Sequence, residues 1–474
     1  MEFLQDTVVL SRLQFAVTAI FHMLWPILTT GMAIFLVIVE GLWLKTGRAD
    51  YYRHARFWSK LYVLNFGIGV ASGLPMEFQF GTNWAPFSEF SGDFFGSILG
   101  FEGSMAFMLE AGFLGIMLFG WGRVPAAIHY LATIMVAFGA NLSTFWIITA
   151  NSWLQTPAGG SVADGKFLVS DYFQAILNPF MARSVLHTFL ATFETSMLVV
   201  AAVSAGYLLR DRHREFFLTS LKIALVVLLA IAPLQVWAGH ESGVQVRQYQ
   251  PTKLAAMEAQ WETIPAGEAA PWAVLAAPDV RAERNRWELS VPGALGWILE
   301  LRPKLAQPLL GLKEWAPGDR PSQVGLVFYS FRIMVAVGFA VVALMAVTVL
   351  QWLRGRLQPE HLTRQSWLLW AWILAAPAGY LAVECGWIVR CVGRQPWLVY
   401  GVLRTSEAAS DIPAGEVLAS LLSFCGIYSV LLVTALFFAR KLLIEGPNLT
   451  LEPPSGNVGL RLQPDQRPVS TEEV

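Results

Sequence analysis

Charge is scarce in this sequence. Asp, Glu, Lys and Arg make up 14% of its 474 residues, against about 25% in an ordinary soluble protein. That deficit, with 55% hydrophobic residues and a mean hydropathy of +0.51, excludes a typical soluble domain and points to a membrane. Cysteine is scarcer still, with only Cys385, Cys391 and Cys425. Their spacing gives no zinc-finger pattern, no disulfide framework and no C-x-x-C-H attachment, so any haem would be held non-covalently. Neither sign of charge is in excess, the net charge being −1, which argues against nucleic acid as a partner. No basic stretch precedes the first apolar run in "MEFLQDTVVLSRLQF". A cleavable signal peptide is therefore not expected, and the first hydrophobic segment should remain in the mature protein.

Long apolar runs are abundant. A bilayer core of about 30 Å takes roughly 20 mostly apolar residues per helix. Nine segments qualify, near 14–43, 58–81, 94–121, 124–150, 183–209, 217–238, 327–353, 366–390 and 415–439. The expected fold class is all-α, a polytopic membrane protein of about nine transmembrane helices. Pro26 and Pro233 interrupt two of the segments, which membrane helices tolerate. The loops after the first, fifth and seventh segments, "KTGRADYYRHAR", "RDRHRE" and "RGRLQPEHLTR", are basic, whereas "TNWAPFSEFSGD" has no Lys or Arg. Basic loops face the cytoplasm, so the N-terminus is expected outside and the C-terminus inside. Residues 1–238 would hold six helices, 239–326 an outer segment, and 327–445 three helices. By its Pro-rich composition, 446–474 reads as a disordered cytoplasmic tail.

From Phe94 to Trp121 the only ionisable residues are Glu102 and Glu110. A charge in mid-helix costs about 2.5–3.5 kcal/mol on insertion scales and is a functional candidate by default. Depth sharpens the reading. His22, Glu102, His187, Arg332 and Met334 fall near the outer starts of their helices, and Glu384 near the outer end of its own. At 1.5 Å per residue, all six share the outer third of the membrane. Glu110 lies eight residues beyond Glu102, about 12 Å deeper and about 80° round a regular helix, a spacing that suits a proton relay from the inner side. Taken singly, several of these residues read otherwise. A lone intramembrane His is usually an interhelical hydrogen-bonding group, a Met is usually core filler, and Arg332 could snorkel to the interface. Glu40 and Glu445, at helix ends, read as solvated. His with Met is a ligand pair for an electron-transfer haem, and a lone His or carboxylate leaves a haem face open. A proton-coupled transporter also keeps His, Glu and Arg in its helices, and residue types alone leave that class open.

Six words in the chain are more specific: "SRLQFAVTAIFH" (11–22), "MEFQFGTNW" (76–84), "FWIITANSWLQ" (145–155), "QPTKLAAMEAQWET" (250–263), "FRIMVAVGF" (331–339) and "GRQPW" (393–397). In this order they closely resemble subunit I of the cytochrome bd family of quinol oxidases, from the N-terminus through the ninth helix. The resemblance implies a bacterial inner-membrane subunit that oxidises ubiquinol or menaquinol at the periplasmic side. It would reduce dioxygen to water with cytoplasmic protons, building proton motive force without a pump. It also implies three haems. His187 and Met334 match the ligands of a low-spin haem b, with Arg332 beside it. Glu384 matches the ligand of a high-spin haem b. His22 matches the ligand of haem d, with Glu102 on the opposite face and Glu110 on the proton route. Residues 239–326 become a periplasmic quinol-binding loop, with Lys253 and Glu258 tied to quinol oxidation. Without the likeness those two would read as a weak Lys/Glu pair on a surface helix. Arg394, in the word that ends at Trp397, could hold a haem propionate. The partners implied are quinol, dioxygen, membrane lipid, a homologous second subunit (subunit II) and small accessory subunits.

Two departures from the pattern stand out. The stretch "GLKEWAPGDRPSQVGLVFYSFRIM" leaves no room for the long insertion many relatives carry, so this is the short-loop type, similar to cyanide-insensitive members. In some short-loop members a haem b takes the place of haem d. Tyr380, four residues before Glu384, stands where better-known members carry Trp, so electron passage between the paired haems is expected to differ in detail. A haem-bearing quinol:acceptor module without an oxygen site is a further competing class.

Overall fold

A computed structural model of the chain describes residues 5–358 and 366–454. Among the described residues, nine helices are long and apolar enough to cross a membrane. They are α1 (Thr7–Thr46), α2 (Ala49–Gly81), α3 (Ala85–Phe119), α4 (Ala126–Gln155), α5 (Met181–Leu209), α6 (Arg214–Tyr249), α7 (Val324–Leu353), α8 (Ser366–Val392) and α9 (Ala414–Glu445). The sequence signals that bound them are local. Asp6 caps α1 by accepting the Val9 N–H at 3.1 Å, and Gly47 closes it in the left-handed conformation, which glycine adopts without a Cβ penalty. Proline falls inside α1, α2, α6 and α8 without ending them, because neighbouring helices shield the freed backbone groups from lipid.

α1 is the central helix. It packs against α2, α4, α5 and α9, while α5 packs against α6 and α8, and α7 against α8 and α6. The first four helices and the next four thus form two groups joined through α1 and α5, with α9 laid on α1 and α2. The shared core includes Phe35, Leu36 and Val39 of α1, Trp58 of α2, Leu198 of α5 and Phe217 of α6. By contrast the most apolar windows of α3, α7 and α9 are each only 17% buried, so these helices form the rim.

α3 is not a uniform helix. Gly92–Gly96 and Glu102–Phe107 are π-helical, a local widening that is frequent at functional sites.

α6 runs on to Tyr249, past the boundary expected at 238. A short helix follows at Pro251–Met257, and the stretch to 323 folds on itself. Leu254, Trp261, Leu305, Leu309 and Leu312 make a second core against Val324 and Val327 of α7. Strands β3 (Trp272–Asp279) and β4 (Arg284–Val291) form an antiparallel hairpin there. Two smaller hairpins, β1–β2 (Gly160–Ala163, Lys166–Val169) and β5–β6 (Trp397–Val399, Leu403–Arg404), also lie outside the spans. At the opposite end, Arg53 donates to the Leu451 carbonyl at 2.9 Å and pairs with Glu452 at 2.8 Å. The chain is held in this way as far as Glu452. Residues 455–474 of the tail lie outside the described residues.

Candidate functional site

Polar side chains concentrate toward the end of the bundle that carries residues 250–323. Two glycines bring the helices close to the first pair of them. A Cβ at Gly239 of α6 would lie 3.3 Å from His187 Cε1, and one at Gly386 of α8 would lie 3.2 Å from Met334 Sδ. His187 Nδ1 is buried with no partner. The imidazole of α5 and the thioether of α7 thus each lie against a glycine of a neighbouring helix, where a larger side chain would crowd them.

On α1, His22 Nδ1 meets Ser72 Oγ at 3.0 Å, and that hydroxyl also lies 2.9 Å from the Gly69 carbonyl. A hydroxyl has one proton. Given to the carbonyl, it leaves Ser72 only able to accept, so the ring proton sits on Nδ1. Nε2 then carries the lone pair a metal requires. Glu384 on α8 has both carboxylate oxygens buried without a partner, a state too unfavourable to persist without a ligand or a proton.

Ser143 on α4 donates to Glu102 at 2.6 Å. Tyr62 on α2 donates to Glu110 at 2.7 Å, and a Cβ at Gly139 of α4 would lie 2.9 Å from Glu110 Cβ. Both carboxylates therefore lie against α4, at positions one helical turn apart. The separation of about 80° expected for a regular helix does not apply, because the π-helical turn Glu102–Phe107 intervenes and rotates the residues beyond it.

The outer segment reaches the same region. Arg332 of α7 is buried, donating to Glu258 at 2.6 Å and to the Ala273 carbonyl at 2.8 Å, with its guanidinium 4.6 Å from the centre of the Phe328 ring. It does not snorkel: it ties Glu258 to the helix that bears Met334. Lys253 is 2% exposed and donates to Gln155 Oε1 at 2.6 Å. The surface Lys/Glu pair suggested by residue types alone is overturned, since both groups are buried and hold different partners. Burial raises the Glu258 carboxyl above its ordinary range, against the lowering effect of Arg332. Burial also pushes the Lys253 ammonium well down, helped by Arg394 and Arg390 nearby. Arg394, just beyond α8, is 4% exposed, with Nε and Nη1 unpartnered.

Glu40 corrects a further expectation. It is 1% exposed rather than solvated, accepting from Thr133 at 2.6 Å and facing His129 Nδ1 at 2.6 Å. α1 continues to Thr46, so Glu40 lies inside the packed helix, whereas Glu445 at the last residue of α9 is exposed as expected. Sequence reasoning missed Tyr62, Ser143 and Arg390. Hydroxyls carry little hydropathy signal, and Arg390 sits where a helix end was expected. It also passed over Glu194 of α5, whose Oε1 is buried and unpartnered.

Among the described residues no three His, Cys, Asp or Glu side chains converge as a cage for a bare ion. The donors stand singly or in pairs on helices long enough to span a membrane, an arrangement compatible with axial ligation of a haem. The model of the cytochrome bd terminal oxidase subunit I family matches residues 10–447. Cytochrome bd-II ubiquinol oxidase subunit 1 of Escherichia coli (strain K12) is 35% identical, covering 94% of this chain and 97% of its own length. That alignment spans 510 positions, more than the 474 residues here, so the relative has segments this chain lacks. Cytochrome bd ubiquinol oxidase subunit 1 of Bacillus subtilis (strain 168) is 35% identical, covering 92% of this chain and 93% of its own. The bd oxidase structure from Geobacillus thermodenitrificans superposes with a TM-score of 0.84 at 27% identity, over 94% of this chain and 99% of that one.

The chain belongs to the cytochrome bd terminal oxidase subunit I family. It is thus a multi-pass membrane subunit of a terminal quinol oxidase, a quinol:dioxygen oxidoreductase, and its family implies haem. The residues present fit that group: His22 with Nε2 available, the glycine-flanked His187 and Met334, and Glu384 with two unpartnered oxygens.

Proposed function

We propose that His187 and Met334 would hold a low-spin haem b, Glu384 a high-spin haem b, and His22 a haem d, or a haem b in its place, with Glu102 serving the same oxygen-reducing site. Bound there, haem supplies the electron transfer and the dioxygen chemistry. The observation that carries this reading is the pair of buried, unpartnered oxygens of Glu384.

The remaining roles belong to the protein's own groups. Glu258 takes the proton of quinol as the electrons leave, which is general-base work, and Arg332 fixes its carboxylate through the 2.6 Å bond. Lys253, held by Gln155, lines the same outer site. Glu110, bonded to Tyr62, passes protons from the inner side toward Glu102, which Ser143 orients. With the N-terminus outside and the C-terminus cytoplasmic, protons leave quinol on one face and are taken up from the other. Charge then separates without a pump. The exposed apolar rim of α3, α7 and α9 suits lipid and a homologous subunit II, with room for small accessory subunits.

The test is the reduced-minus-oxidised absorption spectrum of the purified oxidase, before and after carbon monoxide. Haem b bands with a far-red chlorin band that moves with carbon monoxide are expected. Haem b bands alone, part of them binding carbon monoxide, place haem b at His22. Folded protein without haem absorption overturns the reading.

A further inference from the structure

Lys253, Arg332 and Arg394 are buried at the end of the bundle that carries residues 250–323, with Arg390 half-buried beside them, and one of the four has a carboxylate. Arg332 is paired with Glu258. Lys253, Arg390 and Arg394 have no acidic partner among the described residues; their satisfied donors point at neutral groups. Arg390 is held most firmly. Its Nε donates to Asn151 Oδ1 of α4 and its Nη1 to Ser184 Oγ of α5 at 2.9 Å, while Nη2 is buried with no partner. Asparagine and serine satisfy its N–H groups but leave its charge uncompensated, which is strongly unfavourable away from water.

Its position is set by two helix repeats. Ser184 precedes His187 by three residues on α5. Arg390 follows Gly386, the residue flanking Met334 Sδ, by four on α8. Residues three or four apart share a helix face, so the guanidinium sits one turn outward of the His187–Met334 pair, on the faces that line it.

We propose that Arg390 binds a carboxylate of the porphyrin that His187 and Met334 would hold and, as a charge fixed by Asn151 and Ser184 with a buried, unpartnered Nη2, raises that haem's reduction potential. This rests on the reading of His187 and Met334 as haem ligands. An anchored guanidinium with Nη2 free is a strong carboxylate partner. Haem gains an electron on reduction, so a nearby cation in a low dielectric favours the reduced form.

The experiment is a redox titration of the purified oxidase, followed at the low-spin haem band, for wild type, R390Q, R390K and M334L. R390Q is expected to lower the reduced-to-oxidised ratio at a given potential about tenfold, ~59 mV for a one-electron couple. R390K should recover most of it, and the other haems should titrate as before. An R390Q midpoint within twofold of wild type, with the low-spin spectrum intact, overturns the proposal. If R390Q does not assemble, R390K decides. It keeps the charge but loses the fork, so carboxylate bands in the infrared reduced-minus-oxidised spectrum should shift, and unchanged bands overturn the proposal. M334L separates the two layers of inference. If it leaves the low-spin spectrum unchanged, the ligand reading has failed. If it removes that spectrum while R390Q leaves the midpoint in place, only the role of Arg390 has failed.

Discussion

The two ends of the helical bundle both bury ionisable side chains, and they do so in opposite ways. Away from the 250–323 segment, Glu40, His129 and Thr133 form a closed set. His129 bridges Glu40 at 2.6 Å and the Met117 carbonyl at 3.0 Å, and Thr133 takes the other carboxylate oxygen at 2.6 Å. Both imidazole nitrogens have partners, and the carboxylate has no orphan oxygen. At the end that carries residues 250–323, Glu384, His187, Arg390 and Arg394 all retain buried atoms without partners. A satisfied polar cluster needs nothing beyond the chain, whereas an unsatisfied one on this scale is a binding site whose complement is absent. The comparison therefore separates scaffold from site by hydrogen-bond satisfaction, which residue type alone does not do.

The comparison can be broken most severely at Met334. M334L should convert the low-spin haem to high-spin, a complete change in its absorption spectrum; an unaltered spectrum removes the assignment. E110Q comes next. It should slow dioxygen reduction about 10²-fold or more, the usual scale for a lost acid–base group, while quinol still reduces the low-spin haem in stopped-flow measurements. Normal rates for both steps would eliminate the proton route.

E258Q should slow quinol oxidation by about 10²-fold, and wild type should show a pH dependence from the same group. Only the ionised carboxylate can accept a proton, and burial holds its pKa above the ordinary range. Activity should thus be full above that raised value and fall as pH drops through it. R332Q removes the opposing cation, so the fall should begin at higher pH; a steady-state profile that stays put contradicts the coupling.

The smallest functional effect is expected in the closed set. E40L alone leaves His129 without its partner and should cost about 3–5 kcal/mol of stability, whereas E40L/H129L should be near wild type. Both should retain haem spectra and turnover. Loss of haem from the folded double variant would show that this end is not merely scaffold.

Much of the fold was legible because each span is long, apolar and bounded by its own signals. The site was legible through cost: a charge in a membrane helix is unfavourable enough that His22, Glu102, His187 and Glu384 stood out by depth. The missing parts depend on lateral packing. That Lys253 would meet Gln155, 98 residues away, or that Glu40 would meet His129, is written in no local pattern. Ser143 was overlooked because a Ser or Thr hydroxyl in a helix can satisfy itself on its own backbone, as Thr144 does with the Ala140 carbonyl, and Tyr62 because an aromatic in an apolar helix reads as core. Glu102 and Glu110 were expected on neighbouring azimuths and both lie against α4, but the angle of about 80° holds only for a regular helix, and no periodicity announces the π-helical turn between them.

If the unpartnered buried donors at the end that carries residues 250–323 are haem ligands, the loss of one should be plainest at Glu384. The measurement is haem content per complex, by pyridine haemochrome assay with an absorption spectrum, for purified E384A beside wild type. E384A is expected to lose one haem b or to change that haem's ligation spectrum. Full haem content with an unchanged spectrum would contradict it.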